Sequence, residues 1–131
     1  MKIIIDMQPA QCESRYLDRG CYAKSFVKEF LKQAYQHEVI LLFNAKFRDR
    51  LPELKYEFKN LRDDQIRIFD VPVGSNQNAS LRKAGNAMRE DFIANLKPDL
   101  VLVTGIFDQA NTYLKISIGS HESRWKTALI N

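Results

Sequence analysis

The chain has 131 residues, 45% hydrophobic and 27% charged, with 20 basic against 16 acidic side chains and a formal net charge of +4. Those figures fit a single domain, residues 1–131, with one core, and no apolar run approaches the roughly 20 residues a membrane-spanning helix requires. The cations lie scattered among the acids and form no basic stripe interleaved with aromatics, which argues against a nucleic-acid partner; the mild excess suits an anionic substrate or peripheral contact with an acidic membrane surface.

The opening MKIIID is too short an apolar run for a secretory signal peptide, and Lys2 to Asp6 reads as a β-branched strand buried on both faces. From Met7 to Cys21 runs a long loop, well beyond the about two to six residues usual for a strand-to-helix connection. It carries Glu13, Arg15, Asp18, Arg19 and Gly20 up to a predicted helix N-terminus, where free N–H groups favour an anion. Gly20 lets a ligand approach the backbone closely. Two readings stay open: an anion grip, or a plain turn whose arginines pair with Glu13 and Asp18. Met7 to Gln11 (MQPAQ) rules out the GxGxxG dinucleotide fingerprint, and no GxxxxGK[ST] phosphate loop occurs.

Tyr22, Phe26 and Phe30, with Ala23, Val27, Leu31 and Ala34 beside them, predict one wide apolar helical face ending near Gln36. His37 then falls on the side of the sheet opposite the expected cleft, as a surface residue. Glu38 to Phe43 predicts a second buried strand, Pro52 to Leu61 a shorter helix with proline in its first turn, and Ile66 to Val71 a third strand. Pro72 to Ser80 has the composition of an exposed loop. Leu81 to Leu96, apolar at Leu81, Ala84, Met88, Phe92 and Leu96, predicts a helix stopped by Pro98, and Asp99 to Thr104 a fourth strand. Tyr113 to Ile118 fits a short strand or helix, and Lys126 to Ile130 a last strand.

This alternation indicates right-handed βαβ units: an α/β, Rossmann-like parallel sheet with helices on both faces, without internal repeats. Ligands of such sheets bind outside the carboxyl ends of the strands, which selects the loops after Asp6, Phe43, Val71 and Thr104. At the last of these, Thr104 and Gly105 precede Ile106, Phe107 and Asp108, a combination suited to a sugar or phosphate, with Asp108 able to accept a hydroxyl hydrogen bond or to cap the next element. His121 has no evident partner for general-base work. The two histidines and two cysteines, Cys12 and Cys21, have no metal-ligand spacing, and free thiols are expected.

The stretches IIIDMQPAQCESRYLDRG, FVKEFL, LKPDLVLVT and IFDQ resemble the N-terminal domain of bacterial group 1 (family 4) glycosyltransferases, especially mannosyltransferases of polysaccharide and O-antigen assembly. The resemblance runs over essentially the whole chain. It implies the acceptor-side half of a two-domain GT-B fold, a retaining transfer from a nucleotide-sugar to a glycan or lipid-linked acceptor, no metal or other cofactor, and a cytoplasmic location, with the inner membrane as a peripheral contact. Where that family commonly reads R-G-I-G-R-Y, this chain has Arg19, Gly20, Cys21 and Tyr22, so one glycine and one cation are missing. The expected substrate-binding residues are therefore Arg19, Gly20, Tyr22, Thr104, Phe107 and Asp108, with no catalytic residue assigned. The donor-binding domain with its Glu-x7-Glu element is not in these residues, so the chain is expected to be inactive alone. The alternative is a non-catalytic binding or assembly module with a half-Rossmann fold, self-associating through the exposed final strand.

Overall fold

Ile3, Ile4 and Ile5 are each at most 2% exposed, and they form the middle of β1 (Lys2–Asp6), the central strand of a parallel sheet. The computed structural model describes the backbone of residues 1–11, 18–74, 78–104 and 126–130, and their side chains except at Pro9, residues 18–22, Thr104 and residues 126–130. The further elements are α1 (Gln8–Gln11), α2 (Asp18–Gln33), β2 (Glu38–Asn44), a 3-10 segment (Ala45–Arg50), α3 (Leu51–Glu57), a 3-10 turn (Asp63–Gln65), β3 (Ile66–Phe69), α4 (Ala79–Leu96), β4 (Leu100–Thr104) and β5 (Lys126–Ile130). All four strand pairings are parallel, and the strand order is β3-β2-β1-β4-β5. This is the Rossmann-like α/β sheet expected from the alternation.

The order dictates the layers. The chain steps outward from β1 through β2 to β3, then crosses back to β4, and with right-handed crossovers the later helix must lie on the opposite face from the earlier ones. Accordingly Ile3, Ile5, Leu41, Phe43 and Leu102 pack with Val27 of α2 and Leu51 and Leu54 of α3. Ile4, Ile40, Leu42, Phe69, Val101 and Val103 pack on the other face with Ile93 of α4. Period-two alternation along each strand feeds both cores, which is why the strands are apolar throughout.

Several boundaries differ from expectation. The helix expected from Tyr22 to Gln36 runs from Asp18 to Gln33, because an aspartate in the first turn suits the helix dipole and the chain must turn before Glu38 enters β2. The supposed long loop contains α1. α3 stops at Glu57 and not Leu61, since Phe58 leaves helical geometry (φ −111°, ψ 32°) to bury in the core. β3 ends at Phe69 and not Val71. α4 starts at Ala79, where the Asn78 side chain accepts hydrogen bonds from the N–H groups of Ser80 (2.9 Å) and Leu81 (3.2 Å). Its C-terminus is closed by Lys97 in the left-handed region (φ 52°), and Pro98 follows.

The face that α4 buries is also rotated in part: Phe92 and Leu96 pack against the core as expected, but Ala84 and Met88 before them do not. Ala84 is exposed and Met88 is 42% exposed, whereas Gly85, Arg89 and Ile93, spaced four apart, are buried. The apolar count favours the Leu81–Ala84–Met88 side, but a buried carboxylate under the helix draws Arg89 inward.

Candidate functional site: the carboxyl rim of the sheet

That carboxylate is Asp6, the last residue of β1. It is 1% exposed and points to the same face as Ile4, beneath α4. Arg89 of α4, 2% exposed, donates to Asp6 Oδ2 from Nη2 at 2.8 Å and Nε at 3.2 Å. Gln8 closes the remaining positions: its backbone N–H donates to Oδ1 at 3.0 Å and its Nε2 to Oδ2 at 3.0 Å. A carboxylate taken out of water is costly unless paired and hydrogen-bonded. Asp6 meets both conditions.

The network continues across the sheet. Gln8 Oε1 accepts from Asn44 Nδ2 at 3.0 Å, at the end of β2. Gln11 then pairs with the Asn44 backbone in both directions, its Oε1 accepting from the N–H at 2.8 Å and its Nε2 donating to the carbonyl at 3.0 Å. Asn44 Oδ1 finally accepts from the Lys46 N–H at 3.0 Å and turns the chain into the 3-10 segment. MQPAQ is thus a plug: two glutamines three apart on one helical turn fasten the exit of β1 to the exit of β2, while Arg89 from the middle of α4 closes on Asp6. With its oxygens engaged in this way, Asp6 positions the rim and is not a free base.

At the outer side of this rim, between the ends of β2 and β3, lies a cavity of about 340 Å³ lined by Lys46, Arg48, Asp70, Pro72, Val73 and Gly74 among others. Arg48 Nη2 and Asp70 Oδ1 stand 3.4 Å apart at the cavity, both well exposed. Desolvation by partial burial holds the Lys46 amine below its ordinary 10.5. Gly74 adopts φ +81° and its carbonyl accepts from the Asn78 N–H at 3.2 Å, which shapes the loop into α4.

The expected site residues distribute unevenly over this frame. Arg19, Gly20 and Tyr22 lie within the first five residues of α2, not in a loop ahead of it. Gly20 is therefore a helical residue and not part of a loop ahead of the helix. α2 runs back antiparallel to the strands, so its first turn stands on the carboxyl side of the sheet, against α1. Thr104 ends β4, one residue beyond Val103, which registers with Asp6. Thr104 thus borders the gap between β1 and β4, where strand order reverses and such sheets take their ligands. Phe107, Asp108, Cys12, His121 and the segment Tyr113 to Ile118 lie outside the described residues. His37 is exposed at the amino end of β2, away from the rim.

Gln8, Gln11, Asn44 and Arg89 were not legible as site residues. The available signals were slight: two glutamines directly after a buried strand, an asparagine closing an apolar run, and an arginine four residues from Gly85 and from Ile93. Among the described residues, no group of three or more His, Cys, Asp or Glu is arranged to hold a metal ion, and no helix is long and apolar enough to cross a membrane.

No family model matches the chain, and no solved structure matches it. Over 136 aligned residues, 99% of the chain, it is 28% identical to part of a serotype-specific mannosyltransferase, WbdA, of Escherichia coli. Two further Escherichia coli proteins of that description are 27% and 26% identical over 109 residues, 79% of the chain. The chain spans only 16% of the length of the first of these relatives and 13% of the other two.

Proposed function

We propose that this chain is the N-terminal, acceptor-side portion of a retaining glycosyltransferase of GT-B type, acting in transfer of a mannose-like sugar from a nucleotide-sugar to a glycan or lipid-linked acceptor. The observation that carries the reading is similarity to WbdA along 99% of the chain. The parallel sheet with order β3-β2-β1-β4-β5 supports it, because its switch point offers a ligand crevice at the carboxyl rim. The nucleotide-sugar and the glycan acceptor are the proposed partners, with peripheral membrane contact on the cytoplasmic side. Group transfer requires both reactants held together, and positioning is the largest contribution a binding half can make. Acting alone, this half binds acceptor without turnover.

The test is to offer the chain a mannose nucleotide-sugar together with a mannosylated acceptor, following acceptor binding by NMR and transfer by mass spectrometry. Acceptor binding without product is the expected result. Tight nucleotide-sugar binding with no acceptor binding would reverse the assignment of sides, and turnover would overturn inactivity alone.

A second reading is favoured by the position of β5 at the end of the strand order, where its outer backbone groups can pair with another chain. A non-catalytic assembly module would show a size in solution that rises with concentration, whereas a strict monomer at high concentration counts against it.

A further inference from the structure

The cavity between the ends of β2 and β3 is not at the switch point. Neighbouring strands lie about 4.8 Å apart, so the β2/β3 gap stands two spacings, about 10 Å, from the β1/β4 gap. Its lining combines three features. Asp70 supplies a carboxylate acceptor, Arg48, which donates to it at 3.4 Å and to the Ala45 carbonyl at 3.0 Å, supplies further N–H donors, and Pro72 with the 97% exposed Val73 supplies a small apolar surface. Paired donors and acceptors beside an apolar patch match the vicinal hydroxyls and the C–H face of a pyranose ring. A phosphate fits less well, because Asp70 opposes an anion within the same cavity. The Asn44 cap and the Gly74 turn fix the two walls from the buried network and from the loop into α4.

We infer that this cavity is a distal acceptor subsite, holding a sugar unit set back from the one that receives the transferred residue, with Arg48 and Asp70 bonding its hydroxyls. This rests on the acceptor-side reading and adds to it a dependence on acceptor length. A single sugar at the switch point cannot reach the cavity, while an oligosaccharide spanning about 10 Å can.

The experiment titrates methyl α-mannoside, α-linked mannotriose and inorganic phosphate into the protein and into the variants Arg48→Ala and Asp70→Ala, following amide shifts. Both side chains are exposed, so both variants are expected to fold, and their amide spectra report it directly. The expected result is that each variant binds mannotriose about tenfold more weakly, the loss for one charge-assisted hydrogen bond, with methyl α-mannoside binding at the switch point, read from the amides of β1 and β4, unchanged. Wild-type affinity for mannotriose matched by both variants overturns the subsite while leaving the acceptor-side reading standing. Failure of the wild-type protein to bind either mannoside overturns that reading and the subsite together. Phosphate binding weakened by Arg48→Ala and strengthened by Asp70→Ala, with mannotriose indifferent to both, assigns the cavity to an anion and overturns the inference.

Discussion

Arg89 illustrates how one buried charge fixes its neighbourhood. Its guanidinium is 2% exposed and two of its nitrogens serve Asp6. Replacing it strands a buried carboxylate, so Arg89→Ala is expected to lower the unfolding free energy by about 3–5 kcal/mol in urea denaturation. The double replacement Asp6→Leu with Arg89→Met should recover part of that loss, because removing both charges removes the desolvation penalty too; no recovery would mean that Gln8 and Asn44 depend on the carboxylate for their own placement. Lys97 is a simpler case. It holds φ 52° at the end of α4, a conformation costing roughly 1–2 kcal/mol for a residue with a Cβ and little for glycine. Lys97→Gly should therefore raise the melting temperature, and a fall would show that the lysine side chain makes a compensating contact. At Lys46 the amine is held below 10.5 by desolvation. A lysine whose folded value lies below its unfolded one opposes folding while protonated, so this opposition fades as pH rises from the folded value toward 10.5. Methyl-labelled lysine NMR should find its titration below that of the exposed lysines.

At the scale of elements, α4 shows where the pattern in the sequence was insufficient. Its extent was readable from the apolar spacing and Pro98, to within two residues at the start. Its orientation was readable only in part: Phe92 and Leu96 pack against the core as their spacing predicts, but Met88 outweighs Arg89 in any hydrophobic count, and only a carboxylate positioned 83 residues earlier in the chain makes the arginine a buried residue. α1 escaped notice for a related reason: four residues make no periodic pattern, and Gln8 and Gln11 are held by Asp6 and Asn44, not by apolar packing. The start of α4 depends on Asn78, whose side chain satisfies two otherwise unpaired N–H groups. Asn78→Ala is expected to cost about 1 kcal/mol, and Asn78→Asp much less; equal losses measured by thermal unfolding would argue against the cap as the cause.

For the whole molecule, the charge balance gives a further expectation. A net +4 spread over 20 cations and 16 anions provides only weak attraction to an anionic surface. Cosedimentation with phosphatidylglycerol vesicles should show weak binding that disappears as salt rises and the screening length drops from about 10 Å at 0.1 M to about 3 Å at 1 M. Binding that resists salt would require apolar insertion instead. The α/β class and the identity of five strands among the described residues were determined by the sequence itself, because apolar runs and helical periodicity are local and survive without knowledge of neighbours. The strand order, the rotation of α4, the helical setting of Gly20 and the assembly of Asp6, Gln8, Gln11, Asn44 and Arg89 were decided only by the tertiary structure. Each depends on which distant residues share a buried volume, and the cost of leaving a polar group there without a partner is what selects them.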